Sequence, residues 1–195
     1  MRSLRAALAA SLAALALLAG CSDDDPSPGD PTSIWTPTSK PETPTSSATA
    51  KPTEPVLPDA ATKATEEGAR AFIAYYWAVV NYAQSTGDVA QLTRLSARSC
   101  DTCRGFIADV RAHYKAGGRI VGGSNTVRVT KASELSASSG SAFGFRLEQT
   151  VTHEAQTIID PDGAEDEAEA GSDHFTGYVL WVDDTRWRLD VMELK

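Results

Sequence analysis

Apolar residues recur every three or four positions in the first part of the folded region, the spacing that gathers side chains on one face of a helix. They are Ala69, Phe72, Ile73, Tyr76, Val80 and Ala83. Thr62 or Thr65 can cap the start of this helix, and Gly87 can end it. The pattern therefore predicts a long first helix with one buried face.

Two shorter helices are predicted after the first one. Asp88 can cap the earlier of them, and Leu92 and Leu95 then point inward. The later one runs over about residues 103–115 and ends at a pair of glycines.

Beyond the third helix the pattern changes to the alternation that is typical of strands. The predicted strands cover residues 126–131, 143–159, 175–182 and 186–195, and an acidic loop over 160–172 precedes the third of them. At about 3.3 Å per residue the second strand would exceed about 50 Å, so we expect a bulge or bend within it. Helices followed by about four antiparallel strands predict an α+β fold.

Composition divides the chain into three parts. Residues 22–58 hold nine of the ten prolines and thirteen Ser or Thr, a mixture that cannot build a core and instead forms a disordered spacer. Residues 59–195 hold three of the four Trp and every Tyr and Phe, enough for one domain with its own core. We predict a signal peptide over 1–20, a tether over 21–58 and a single domain over 59–195.

The extreme N-terminus is typical of an exported protein. Arg2 and Arg5 precede an apolar run over residues 6–19 that only Ser11 interrupts. As a helix this run would span about 21 Å, short of the roughly 30 Å hydrocarbon core of a membrane. Its length and charge pattern predict a cleaved signal peptide.

The end of this run, Leu18-Ala19-Gly20-Cys21, resembles the bacterial lipobox. The resemblance implies that a diacylglycerol is attached to Cys21 and that the chain is held on the extracytoplasmic face of the cell membrane. An ordinary cleaved signal with an incidental Cys is the alternative.

Five segments of the domain carry a resemblance to a known family. They are residues 67–72, 75–77, 81–82, 86–88 and 100–103. Together with the lipobox and the Pro/Thr-rich tether, they resemble a family of actinobacterial lipoproteins of unknown function. The order of elements and the over-long strand resemble the nuclear-transport-factor-2-like fold, a cone in which a curved antiparallel sheet wraps N-terminal helices. The resemblance implies location and architecture, and it transfers no catalytic residue.

Cys100 and Cys103 form a single CxxC motif beside the third predicted helix. Because exported proteins meet an oxidising environment, a structural disulfide that closes a short loop is the first interpretation. A redox thiol pair is the second, because a helix N-terminus stabilises a thiolate, although Asp101 opposes this and no thioredoxin-like βαβ pattern is present. Zinc would need four ligands, so we predict no metal here.

Gln149 and His153 interrupt the apolar face of the long strand. In a cone-like fold this face lines a pocket, so we name Tyr76, Gln149 and His153 as a candidate pocket in which His153 could act as a general base. A shift of register at a bulge would instead turn His153 toward water. No catalytic residue is assigned.

Charge and motifs exclude several classes of function. A formal net charge of −8 and a pI of about 4.9 disfavour nucleic-acid binding. The acidic loop does not match an EF-hand, and a solvated loop is the preferred interpretation over calcium binding. Phosphate-binding glycine loops, hydrolase elbows and zinc-protease motifs do not occur in the sequence, so we expect no cofactor.

These observations favour a membrane-anchored, non-catalytic binding module of the cell envelope. Its partner would be a cell-wall component, a membrane protein or a small molecule. An isomerase- or dehydratase-like enzyme built around His153 is the alternative. A thiol–disulfide factor that uses Cys100 and Cys103 is a further one.

Overall fold

The computed structural model of the chain describes residues 52–136, 143–183 and 185–195. Within these ranges a short 3-10 turn, Asp59–Thr62, precedes three helices. The helices are α1 (Glu66–Thr86), α2 (Ala90–Leu95) and α3 (Asp101–Ala116). Seven strands follow, which are β1 (Arg119–Gly122), β2 (Asn125–Ser136), β3 (Phe143–His153), β4 (Gln156–Ile159), β5 (Glu165–Ala168), β6 (Gly171–Val182) and β7 (Arg186–Leu194).

Helix α1 begins and ends where its sequence predicts. The Thr65 side chain accepts a hydrogen bond from the backbone N–H of Gly68 at 3.1 Å, which satisfies one of the free donors of the first turn. Gly87 ends the helix in the left-handed conformation, with φ of 75°. A Cβ at this position would lie 2.4 Å from the ring of Tyr114, so packing against α3 also requires glycine.

Helices α2 and α3 follow with small differences from the prediction. Asp88 accepts a hydrogen bond from the N–H of Ala90 at 2.9 Å, which supports the first turn of α2. Helix α3 begins at Asp101, two residues earlier than predicted, because Cys100 serves as its N-cap. It ends at Gly117, where φ is 101°.

The larger sheet confirms the predicted α+β fold. Four antiparallel strands pair in the order β2-β3-β6-β7, and α1 contacts β2 and β3 while α3 contacts β7. The side chains that meet between helix and sheet are fully buried, and each contributes roughly 1.5–3 kcal/mol through the area it removes from water. They include Phe72, Ile73, Leu147, Val179, Trp187 and Leu189.

The long predicted strand does break, as expected. It is interrupted at Glu154 and Ala155, which separate β3 from β4. The N–H of Gly123 donates to the carbonyl of Ala155 at 2.9 Å, and Glu154 donates to Ser124 at 3.0 Å. These bonds redirect the chain, so β4 leaves the larger sheet and joins a second one.

The second sheet corrects the prediction for residues 160–172. Strands β1, β4 and β5 pair in the order β1-β4-β5, and the acidic segment contributes β5 through a hairpin turn that contains Gly163. Every residue of β5 is exposed, so the apolar alternation that marks a strand is missing there. Strand β1 was also not predicted, because it has only four residues, follows one pair of glycines and ends within another.

The N-terminal predictions lie outside the described residues. These are the signal peptide over 1–20, the lipidated Cys21 and the tether up to residue 51. One compact unit comprises Ala48–Lys195. Within the described ranges, the helices are too short or too polar to span a membrane.

Candidate functional site

Tyr76 lies in the middle of α1 with its ring inside the core. Its hydroxyl shares a hydrogen bond of 3.0 Å with the hydroxyl of Ser96, which follows α2. Burial raises the pKa of Tyr76 to about 12, and the hydrogen bond from Ser96 opposes part of this rise. The phenol is therefore held in its neutral form, and it can donate or accept a hydrogen bond but has no tendency to ionise near neutral pH.

Gln149 lies between the larger sheet and α1 and is 2% exposed. Its Oε1 accepts a hydrogen bond from the indole N–H of Trp77 at 3.1 Å. Its Nε2 is buried and has no hydrogen-bond partner in the part of the chain that the structure describes. A Cβ at Gly177 would come within 3.0 Å of this nitrogen, so glycine on β6 makes the room in which the amide lies.

His153 lies at the far end of β3, opposite Gly171 of β6. Its Nε2 is 3.6 Å from Oδ2 of Asp173, and its side chain is 32% exposed. The structure thus places an aspartate beside this histidine at the end of the two central strands.

A cavity of about 230 Å³ lies between α1, α3 and the strands β6 and β7. Its walls are mostly aromatic and aliphatic. The lining residues are Tyr76, Trp77, Val80, Gln84, Thr102, Cys103, Phe106, Asn125, Phe175 and Met192. Tyr76 therefore lines the cavity, whereas Gln149 and His153 do not.

One end of the cavity carries amide groups. Asn125 donates through Nδ2 to Oε1 of Gln84 at 2.8 Å and to Oδ1 of Asn81 at 2.9 Å. Asn81 in turn donates to the Asn125 carbonyl at 2.9 Å, so this network ties the start of β2 to α1. Gln84 uses its side-chain oxygen in the network, and its Nε2 donates to no residue in the described ranges, so this nitrogen remains free to donate to a ligand.

These groups suit binding better than catalysis. The side chains that line the cavity in the described structure include no histidine, carboxylate, lysine or arginine, so a proton-transfer pair is missing there. Trp77 and Phe175, whose ring centroids are 5.6 Å apart, offer flat apolar surfaces instead. The arrangement can hold an apolar group and direct one polar end toward Gln84.

Comparison with known proteins assigns the chain to a family. The model of DUF6318, a family of unknown function, matches residues 37–193. The chain belongs to this family. No curated protein sequence matches it. Among solved structures it is similar to the intermembrane space region of chloroplast protein ARC6, at 12% identity and a TM-score of 0.44, over 67% of this chain and 95% of that chain.

The DUF6318 domain contains the predicted disulfide between Cys100 and Cys103. Both cysteines are buried, and Cys103 also lines the cavity. The bridge fixes the first turn of α3, where Thr102 donates to the carbonyl of Met192 on β7 at 2.8 Å. It therefore forms part of a wall, and its burial shields it from external thiols.

Sequence patterns did not identify most of the residues that line the cavity in this DUF6318 domain. Thr102, Cys103 and Phe106 do share one side of α3 at helical spacing, and that spacing was a usable signal. Asn125 and Gln84 come together only through the pairing of β2 beside α1, which no local pattern reports.

Proposed function

We propose that the chain is a lipid-anchored protein of the extracytoplasmic face of the cell membrane, of the actinobacterial type, and that its domain is a non-catalytic binding module. Support for the anchor comes from the apolar run over residues 6–19, the lipobox-like sequence that ends at Cys21 and the proline-rich segment after it. A wall component or a membrane protein within reach of the tether is the class of partner that this location offers.

We also keep the nuclear-transport-factor-2-like cone as our proposal for the fold family. The four-stranded antiparallel sheet that packs on α1, and the break that redirects the chain after β3, support it. In such a cone the ligand lies between helix and sheet, where the cavity of this domain is found.

The ligand that the cavity fits is small and mostly apolar, with one hydrogen-bond acceptor. The observation that carries this proposal is the 230 Å³ cavity, which is partly open to solvent and has four aromatic side chains in its walls. A dry cavity of about 150 Å³ holds one benzene molecule, so this one has room for a ring that bears a short polar substituent. The acceptor of the ligand would receive a hydrogen bond from Nε2 of Gln84.

Benzyl alcohol is a suitable probe of this proposal, because it joins one ring to one hydroxyl. We expect saturable NMR shifts at Met192 and Phe106 when it is titrated into the full-length chain. Val80→Trp should fill the cavity and abolish the saturation, while Val56→Trp, at a position that is 87% exposed, should leave it unchanged. Shifts that do not saturate, or that persist in Val80→Trp, would overturn the binding proposal.

The anchor is tested separately. In an actinobacterial host, Cys21→Ala should prevent attachment of the lipid. The variant should then either appear in the soluble fraction or remain as a precursor with an uncleaved signal peptide. Ser22→Ala, one residue later, should leave it in the membrane fraction. Membrane retention of Cys21→Ala protein whose signal peptide has been removed would contradict the lipid anchor without affecting the proposal for the cavity.

The enzymatic alternative is supported by one feature, the His153–Asp173 pair at 3.6 Å. A carboxylate beside an imidazole can orient it as a general base. Because this pair lies outside the cavity, an enzyme would have to hold its substrate at the end of β3 and β6. The binding module is therefore the function that we favour.

A further inference from the structure

The charges of this acidic chain are unevenly distributed. The segment from Gln156 to Asp173 carries seven carboxylates and no Lys or Arg. Helices α2 and α3 show the opposite balance, since residues 90–115 carry four Arg and one Lys against two Asp. The two helices therefore form a local positive region on a chain whose formal net charge is −8.

A groove of about 270 Å³ runs between α2 and α3 in this positive region. Ala97 and Ile107, both buried, form its floor. Arg98, Arg104 and Arg111 stand around it, and all three are exposed. The groove therefore offers a small apolar base beneath three guanidinium groups.

Two of these three arginines, Arg98 and Arg111, lack a carboxylate partner, as do Arg94, Arg119 and Arg128 elsewhere in the described ranges, whereas the other five arginines there have one. Arg70, Arg146, Arg186 and Arg188 pair with Glu66, Glu148, Asp183 and Asp190 respectively. Arg104 pairs with Asp101 on its own helix. Neither Arg98 nor Arg111 forms a salt bridge with any residue in the described ranges, so their donors face the groove and the solvent.

We propose that the α2–α3 groove binds the phosphate group of a small soluble ligand. A guanidinium presents its N–H groups as a planar fork, which matches two oxygens of one phosphate. Because Arg98 and Arg111 both line the groove, two such forks can serve one anion, and the small side chain of Ala97 forms part of its base. The formal net charge of −8 repels anions at long range, so the affinity must arise within the groove itself.

The acidic hairpin of a second copy is a less suitable occupant. A two-stranded ribbon has strands about 4.8 Å apart, with side chains on both sides, and it is larger than a groove that holds one compact group. A lipid surface is also disfavoured, because the net negative charge of the chain opposes approach to anionic lipids. A second copy and a lipid surface would each give a result in the test that differs from the result expected for a phosphate group.

The test uses inorganic pyrophosphate as the probe and the full-length chain. We expect saturable NMR shifts of the Arg98 and Arg111 side-chain Nε–H signals. Arg98→Gln and Arg111→Gln should each raise the Kd for pyrophosphate by about tenfold, the loss that corresponds to about 1.4 kcal/mol. The matched control, Arg128→Gln on β2, removes the same charge at an exposed position outside the groove and should change the Kd by less than about twofold.

Three outcomes would overturn the proposal. The first is an equal loss of affinity in Arg128→Gln, which would indicate a general charge effect. The second is binding to phosphatidylglycerol vesicles without binding to pyrophosphate, which would indicate a lipid surface. The third is concentration-dependent self-association that Arg98→Gln abolishes while pyrophosphate has no effect, which would indicate a second copy as the occupant.

Discussion

Helix α3 borders two recesses of opposite chemistry. On one side Thr102, Cys103 and Phe106 face the aromatic cavity beneath α1. On the other side Arg104 and Arg111 stand over the groove toward α2. A single amphipathic helix thus separates an apolar space inside the domain from a cationic space at its surface.

One hydrogen bond joins a residue that lines the cavity to a residue that lines the groove. Tyr76 lines the cavity, Ser96 lines the groove, and their hydroxyls are 3.0 Å apart. Half of the residues that line the cavity are buried, so they also stabilise the fold. The arginines of the groove are exposed, and their removal should affect binding while leaving stability nearly unchanged.

The largest expected effect is at the cavity wall. Trp77→Ala removes a buried ring and leaves Oε1 of Gln149 without its donor, so we expect a loss of about 3–5 kcal/mol in the free energy of unfolding. Trp77→Phe keeps an aromatic ring and removes only the indole N–H, and it should lose less. Urea denaturation measures the free energy of unfolding of both variants. If Trp77→Ala is as stable as the wild type, the Trp77 side chain does not stabilise the core.

The disulfide gives the next effect. Replacing Cys100 and Cys103 together with Ser should lower the free energy of unfolding by about 2 kcal/mol, the value for a very short loop. The same double variant should weaken binding of benzyl alcohol, because the first turn of α3 and Cys103 belong to the cavity wall. Unchanged affinity in a folded double variant would show that the cavity does not depend on the bridge.

The phenol between the two recesses gives a pH-dependent effect. The pKa of Tyr76 is raised to about 12 from its ordinary value of 10.0, so the unfolded chain loses this proton at lower pH than the folded chain does. Stability from this group is complete below pH 10, and it declines by about 1.4 kcal/mol per pH unit as the pH rises from 10 toward about 12. In Tyr76→Phe this part of the decline in the free energy of unfolding should disappear. If that free energy depends on pH in the same way in the variant and the wild type, the expectation is wrong.

The smallest effects on stability belong to the groove. Arg98→Gln and Arg111→Gln should each change the free energy of unfolding by no more than about 0.5 kcal/mol, because both side chains are exposed and unpaired in the described structure. Thermal unfolding of the two variants beside Arg128→Gln tests this expectation. A larger loss in the groove variants would mean that these arginines have a structural role.

Sequence patterns identified the elements whose two faces differ in polarity. The buried stripe of α1, the cap at Thr65 and the end at Gly87 all followed from local spacing. The same reasoning placed Gln149 on the inward face of its strand, where it is buried. Strand β5 could not be found in this way, because its side chains are all exposed and its strand geometry depends on pairing with β4.

The recesses were less predictable than the elements around them. Local spacing placed His153 and Gln149 on one strand face with Tyr76 opposite, and it could not show that Tyr76 lines the cavity while the other two do not. The groove joins Arg98, which follows α2, to Arg111 on α3, and this proximity depends on the packing of two helices. Side-chain volume and helix packing are tertiary properties, so a single sequence did not reveal them.

A two-probe NMR titration of the full-length chain tests the separation of the two recesses most directly. Benzyl alcohol and pyrophosphate would be added in turn, in both orders, to one sample. We expect saturable shifts at Met192 and Phe106 with benzyl alcohol and at Arg98 and Arg111 with pyrophosphate. Neither set of shifts should change when the other probe is added. Shifts of one common set of residues by both probes, or no saturable shift by either, would contradict this expectation.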